Sequence, residues 1–155
     1  PMSAAEQREV FESILEDTLG ADCGIEVAQA IHDQFSSQIR EHKESKSAEP
    51  LIMTAGEIGK VLLECGVTEE NVAAFQVQCG ERFGVGAVLD PANLIDPGKY
   101  EVKTAQATIQ VDPEFSYAVT TRVIDGRAYL LLPADDIQVN GLPIQVTNGQ
   151  ETETI

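Results

Sequence analysis

Histidine is the first side chain to examine for chemistry, and the chain has two, His32 and His42. They stand on or near one predicted helix at a separation of about 15 Å along its axis. One metal ion needs ligands that converge on it, and a helix supplies them most simply four residues apart. We therefore interpret both histidines as surface residues and predict no metal site.

The cysteines Cys23, Cys65 and Cys79 form no CxxC pair. A nucleophilic thiol needs a lowered pKa and a neighbouring base. Cys65 precedes the glycine that ends a predicted helix, where the helix dipole raises a thiol pKa. Cys23 falls in the first turn of a helix predicted to start near Asp22, where the dipole favours the thiolate and the Asp22 carboxylate opposes it. We expect three free thiols and no catalytic cysteine, as is typical of a cytoplasmic protein.

Carboxylates offer the remaining route to chemistry. Asp112 with Glu114, and Asp135 with Asp136, could supply oxygen ligands to Ca²⁺ or Mg²⁺. No spaced D-x-D-x-D loop accompanies them, and aspartate more often caps a turn. An enzyme, or part of one, remains an alternative in which these carboxylates bind a divalent metal or the catalytic groups lie upstream.

The other catalytic patterns are missing. Gly80, Gly84 and Gly86 follow a predicted helix instead of leading from a strand into one, so they indicate a helix stop and not a phosphate loop. No GxSxG sequence is present. We predict no catalytic residue, no cofactor-binding residue and no metal ligand.

The charge of the chain is strongly negative, with 26 acidic and 10 basic side chains and a net charge of −16. Such a field repels nucleic acid and anionic membranes. The sequence also has no apolar run of about 20 residues that could cross a bilayer. We expect no nucleic-acid partner and no membrane partner. A dense acidic face that imitates nucleic acid is a weaker alternative.

Helical periodicity dominates residues 1–84, the predicted helical subdomain. Ser3-Ala4-Ala5-Glu6 and Thr54-Ala55-Gly56-Glu57 both have the form of a capping box, which starts a helix. Apolar residues at helical spacing indicate about four helices. The first two are joined by so short a turn that we expect an antiparallel pair.

Turn chemistry and then strand periodicity follow. Residues 85–98 are rich in Gly, Pro, Asp and Asn and are predicted to be a connecting loop. Residues 99–147 alternate with period two, and the dipeptides Asp125-Gly126 and Asn140-Gly141 suit type I′ hairpins. We predict a small antiparallel sheet of five or six hairpin-connected strands there, with a frayed tail at 148–155. The expected fold class is α+β with segregated parts.

Several segments also resemble one known family. They are Ala5–Gln7, Phe11–Leu19, Glu41–Ser45, Pro91–Leu94, Tyr100–Thr104, Ile109–Pro113, Thr121–Gly126 and Val139–Gly141. The sequence resembles the C-terminal part of domain-of-unknown-function family 4317, a family of cytoplasmic proteins from clostridial Firmicutes. The resemblance implies a longer bacterial protein, and it supplies no activity, cofactor or catalytic residue.

These observations favour a non-enzymatic protein-interaction or structural module. Hairpins leave strand edges that a partner strand could extend, so a protein partner or self-association through a sheet edge is our expectation.

Overall fold

The computed structural model describes residues 2–20 and 23–147. Its α-helices are α1 Ala4–Leu19, α2 Ile25–Ser45, α3 Ala55–Glu64, α4 Glu69–Phe83 and α5 Pro91–Leu94, and a 3₁₀ helix spans Pro113–Ala118. The strands are β1 Met53–Thr54, β2 Val88–Leu89, β3 Tyr100–Lys103, β4 Thr108–Val111, β5 Thr120–Ile124, β6 Arg127–Leu131, β7 Gln138–Val139 and β8 Leu142–Pro143. The chain is an α+β protein.

Both predicted capping boxes are confirmed. The Ser3 hydroxyl accepts the Glu6 N–H at 3.2 Å, and the Glu6 carboxylate accepts the Ser3 N–H at 3.4 Å. Thr54 and Glu57 repeat the exchange, with both distances 3.1 Å. Since the first N–H groups of a helix have no partner within it, these side chains fix where α1 and α3 begin.

An apolar core joins the helices. Phe11 of α1 contacts Phe35 of α2 and Phe75 of α4, and both pairs of ring centroids are 6.1 Å apart in edge-to-face geometry. Ile14 and Leu62 are fully buried in the same cluster. Three of the eight aromatic side chains of the chain therefore meet where α1, α2 and α4 pack together.

Two expectations about the helices need correction. The four helices expected in residues 1–84 are α1–α4, and the described residues contain α5 and a 3₁₀ helix beyond them. The segment 85–98, expected to be a loop, contains β2 and α5; Asp90 caps α5, and Pro91 occupies its first turn, an arrangement that favours a helix start. In addition, α1 packs chiefly along α4 and α5, and not as a pair with α2.

The prediction of a single antiparallel sheet was also wrong. Four separate two-stranded antiparallel sheets form, β1 with β2, β3 with β4, β5 with β6 and β7 with β8. The 3₁₀ helix at Pro113–Ala118 separates the second pair from the third, and residues 132–137 separate the third from the fourth. The strands β3–β8 therefore form hairpins between consecutive strands, whereas β1 and β2 pair across α3 and α4. The strands β7 and β8 have two residues each.

Both predicted type I′ turns are confirmed by their positive φ angles. Asp125 and Gly126 have φ of 50° and 78°, and Asn140 and Gly141 have φ of 51° and 82°. The first turn sets the register of β5 with β6, in which Ile124 faces Arg127.

The chain divides into two compact units, one ending at Tyr117 and the other starting at Ala118. The first holds α1–α5, β1–β4 and the apolar core. The second holds β5–β8. The sequence-based boundaries, residues 1–84 and 99–147, remain a prediction about folding units. The predicted frayed tail, residues 148–155, lies outside the described residues.

Candidate functional site

Both histidines contact backbone carbonyls. The His32 Nε2 lies 2.8 Å from the Lys99 carbonyl and 3.1 Å from that of Asp96. His42 Nε2 lies 2.7 Å from the Glu49 carbonyl. A carbonyl oxygen only accepts, so each Nε2 carries a hydrogen and donates it. His32 thereby ties α2 to the segment before β3, a structural role that the sequence interpretation missed.

All three thiols have a raised pKa, although they differ in exposure. Burial raises the pKa of Cys79 to about 11, and burial followed by the Glu64 and Asp33 carboxylates raises that of Cys65. Cys23 is exposed, yet partial desolvation still raises its pKa. It precedes the Gly24 cap and does not lie in the first turn of α2, so the expected dipole effect is wrong. Asp22 lies outside the described residues.

The four suspected carboxylates lie in two units. Asp112 accepts the Glu114 N–H at 3.1 Å and so starts the 3₁₀ helix, as a turn-capping aspartate does. Asp135 and Asp136 are exposed in the second unit. Within residues 2–20 and 23–147, no three His, Cys, Asp or Glu side chains form a possible metal-binding group.

The glycine run ends a helix. Gly84 has φ of 102° at the C-terminus of α4, and its N–H donates to the Gly80 carbonyl. A shallow cleft of about 400 Å³ lies beside these glycines, between the start of α3 and the end of α4. Its wall includes Val85, which is 96% exposed. The lining of the cleft is mostly apolar and includes one charged residue, Glu81.

The second unit contains the more distinctive surface. Of residues 118–147, only Val119 is buried. Large apolar side chains stay exposed across the unit, namely Val123, Tyr129, Leu132, Val139, Leu142, Ile144 and Val146. An isolated two-stranded hairpin is only marginally stable in water, because it has too little apolar surface to bury. These hairpins therefore present side chains of the kind that a third strand or a packed layer would cover.

The backbone edges of the β5–β6 hairpin are also open. Within the described residues, β5 pairs only with β6. Ile124 and Arg127 flank the two-residue turn and form a hydrogen-bonded pair, so the next pair, Val123 and Ala128, directs its N–H and C=O groups outward. Each edge of the hairpin thus offers backbone donors and acceptors to an added strand.

One face of this hairpin carries two arginines and a tyrosine. Arg122 stands opposite Tyr129 in the register, and Arg127 precedes Tyr129 by two positions. The Arg127 guanidinium carbon is 6.0 Å from the centroid of the Tyr129 ring. We call these three residues the Arg–Tyr face. The Asp125-Gly126 turn already implied this register, and counting outward from it would have revealed the face.

Charge is distributed unevenly between the units. Residues 1–117 hold 21 acidic and 8 basic side chains, a net charge of −13. Residues 118–147 hold three acidic and two basic side chains, a net charge of −1. The exposed apolar hairpins therefore lie in the weakly charged part of a strongly acidic chain.

Comparison with known proteins places the chain in a family. The sequence model of the family described as Domain of unknown function (DUF4317) matches residues 1–142. The chain belongs to the DUF4317 family. No curated protein matches it, and no solved structure matches it.

The DUF4317 match includes all of the first unit and the Arg–Tyr face of the second. It ends at Leu142, the first residue of β8. The β5–β6 hairpin is therefore part of the family domain. No helix in the described part of the chain combines the length and the apolar content that crossing a bilayer requires.

Proposed function

We propose that this DUF4317 chain is a non-enzymatic interaction module that binds an extended segment of a partner protein along an edge of the β5–β6 hairpin. One observation carries the proposal: the hairpin has open backbone edges beside exposed apolar side chains, with Val123 69% exposed. An added strand would pair with the open backbone edge and cover the apolar side chains, since main-chain hydrogen bonds give affinity and alternate side chains give specificity.

The remaining chemistry-bearing residues support a binding role over a catalytic one. His32 and His42 contact backbone carbonyls, and the pKa of Cys79 is raised, which makes the thiol a weaker nucleophile at neutral pH. The net charge of −16 disfavours nucleic acid and anionic membrane surfaces as partners. A polypeptide is the partner class that a strand edge recognises.

The wider setting is also a proposal. The resemblance that the sequence carries to clostridial Firmicutes proteins leads us to propose that this domain is the C-terminal portion of a larger cytoplasmic bacterial protein. In such a protein the first unit, with its buried core, would serve as the folded base and the hairpins as the contact surface.

Selection from a random peptide library on the whole chain tests the proposal. The affinities of the selected peptides are then measured by fluorescence anisotropy. Ala128→Pro removes an outward N–H from β6 and leaves the β5–β6 ladder intact, whereas Ala128→Val retains that N–H. Val123→Pro does the same on β5. We expect one proline variant to weaken binding on the order of tenfold or more, and Ala128→Val to bind normally.

Hydrogen exchange gives a second measurement on the same peptides. A bound strand should slow amide exchange at Ala128 and Leu130, or at Thr121 and Val123, because these N–H groups point outward. Selected peptides that bind both proline variants as well as the parent chain would show that the contact surface lies elsewhere, for example at the apolar cleft of the first unit.

A further inference from the structure

We propose that the β6 edge selects partner segments that carry a carboxylate, and that the Arg–Tyr face supplies this selectivity; the inference rests on the proposed function. Arg127, Tyr129 and Leu131 alternate along β6, so their side chains share one face of the hairpin. A strand added at this edge would place its own alternate side chains beside them.

The two guanidinium groups have no acidic partner within the described part of the chain. The two salt bridges found there both involve Glu101, with Lys99 at 3.3 Å and Lys103 at 3.6 Å. Arg122 and Arg127 are both exposed. In a chain with far more acids than bases, two arginines on one hairpin face, neither in a salt bridge within residues 2–20 and 23–147, are available to an outside anion.

Local charge has the opposite sign to the net charge of the chain. Residues 120–131 contain Arg122, Arg127 and a single acid, Asp125, for a net charge of +1. Arginine binds carboxylates through paired N–H groups, and Arg and Tyr are enriched at the energetic centres of interfaces. Charge complementarity at this face therefore favours an acidic segment over a basic one.

A carboxylate on a short peptide fits better than a phosphate backbone. A nucleic acid presents a charge at every nucleotide and would meet the repulsion of the whole acidic chain. A strand with one carboxylate beside Arg127 and an apolar side chain beside Tyr129 carries little net charge. The expected ligand therefore alternates acidic and apolar side chains on one face.

Three synthetic peptides test the inference. They share one alternating Thr/Val sequence and differ only in having Glu, Gln or Lys at the position that would meet Arg127. Their dissociation constants for the whole chain are measured by fluorescence anisotropy at constant salt. We expect the Glu peptide to bind about tenfold more tightly than the Gln peptide, and the Lys peptide to bind most weakly.

Variants of the chain separate the side-chain contribution from strand addition itself. Arg127→Gln should abolish the preference for the Glu peptide, and Arg127→Lys should keep part of it, since the charge remains and the planar fork is lost. Arg82→Gln, an exposed arginine on α4, is the matched control and should change nothing. Ala128→Pro should weaken the binding of all three peptides to the same extent.

The outcomes that contradict the selectivity differ from those that contradict strand addition. The selectivity is wrong if the Lys peptide binds as tightly as the Glu peptide or more tightly, or if the preference for the Glu peptide survives Arg127→Gln. Loss of peptide binding in Ala128→Pro would still support strand addition in either case. If none of the three peptides binds, the inference is wrong, and the library selection decides the proposed function independently. Sedimentation velocity that detects a dimer abolished by Ala128→Pro would identify a second copy as the occupant and also overturn the inference.

Discussion

The Phe11 ring meets the Phe35 ring edge to face, with centroids 6.1 Å apart and planes inclined at 76°. Phe75 makes a similar contact on Phe11, at 87°. Edge-to-face pairs add about 0.5–1.5 kcal/mol each beyond the area that they bury. A single side chain of α1 therefore links α2 and α4, and it lies at the centre of the first unit.

Removing this ring should destabilise the first unit severely. Phe11→Ala is expected to cost about 3–5 kcal/mol in the free energy of unfolding, because it loses buried area and leaves a cavity. Urea unfolding followed by far-ultraviolet circular dichroism measures the change. Phe115→Ala removes a ring that is 53% exposed and should change stability by no more than about 0.5 kcal/mol. Equal losses in the two variants would contradict the packing described.

Cys79 should make stability depend on pH in the alkaline range. Its pKa is raised by burial from 9.0 to about 11, so the folded chain keeps the thiol protonated where the unfolded chain ionises it. The stabilisation is fully present below pH 9 and is lost as the pH rises to about 11. The free energy of unfolding should fall over this window, and Cys79→Ala should flatten the fall.

A control for this prediction is Cys23→Ala. The Cys23 side chain is exposed, so its removal should alter the alkaline slope less. Part of the slope should persist in both variants, since burial and the Asp33 carboxylate raise the pKa of Tyr100 in the same direction. An unchanged slope in Cys79→Ala would show that the buried thiol does not contribute.

Gly126 should be required for the backbone conformation of the turn between β5 and β6. Its φ is +78°, and a Cβ at this position would meet no atom within 4 Å, so Gly126→Ala isolates the backbone strain. The expected cost is about 1–2 kcal/mol. Amide exchange in β5 should accelerate roughly 5- to 30-fold. Gly56→Ala, in the first turn of α3 with ordinary φ, should be neutral or slightly stabilising.

Charge repulsion between glutamates on α1 should have a measurable effect on the stability of the protein. Glu12 and Glu16 are exposed and four residues apart on this helix. Glu16→Gln should raise stability by about 0.2–0.5 kcal/mol, and the gain should shrink in high salt because ions screen the charges. Glu6→Gln should change stability in the opposite direction, because it removes a negative charge from the first turn of α1, where the helix dipole favours one. Thermal unfolding at low and high salt measures both changes.

Local rules explain what the sequence could predict. Ser3 and Glu6 exchange hydrogen bonds within one turn of chain, and Asp125 with Gly126 form a complete hairpin turn. Their geometry depends on few neighbours, so residue type and spacing suffice to predict it. The Asp90-Pro91 pair carried an equally local signal for α5, but the same residues are also common in turns.

Contacts between distant residues explain what could not be predicted. His32 lies 64 and 67 positions from the carbonyls that it contacts, and no spacing rule reaches so far. The division into four small sheets depends equally on which strands meet in space. For the candidate site, the register between Arg122 and Tyr129 followed from the turn, whereas the exposure of Tyr129 required the three-dimensional structure.

Because each sheet has only two strands, the protein should be prone to aggregation under some solution conditions. In the described residues every β-strand has a single neighbour, so each leaves one side of its ladder open. The net charge of −16 makes molecules of the protein repel one another, which disfavours stacking of these ladders into fibres. That repulsion vanishes near the isoelectric point of about 4.3. Acidification toward this value should therefore convert a clear solution into β-rich aggregates.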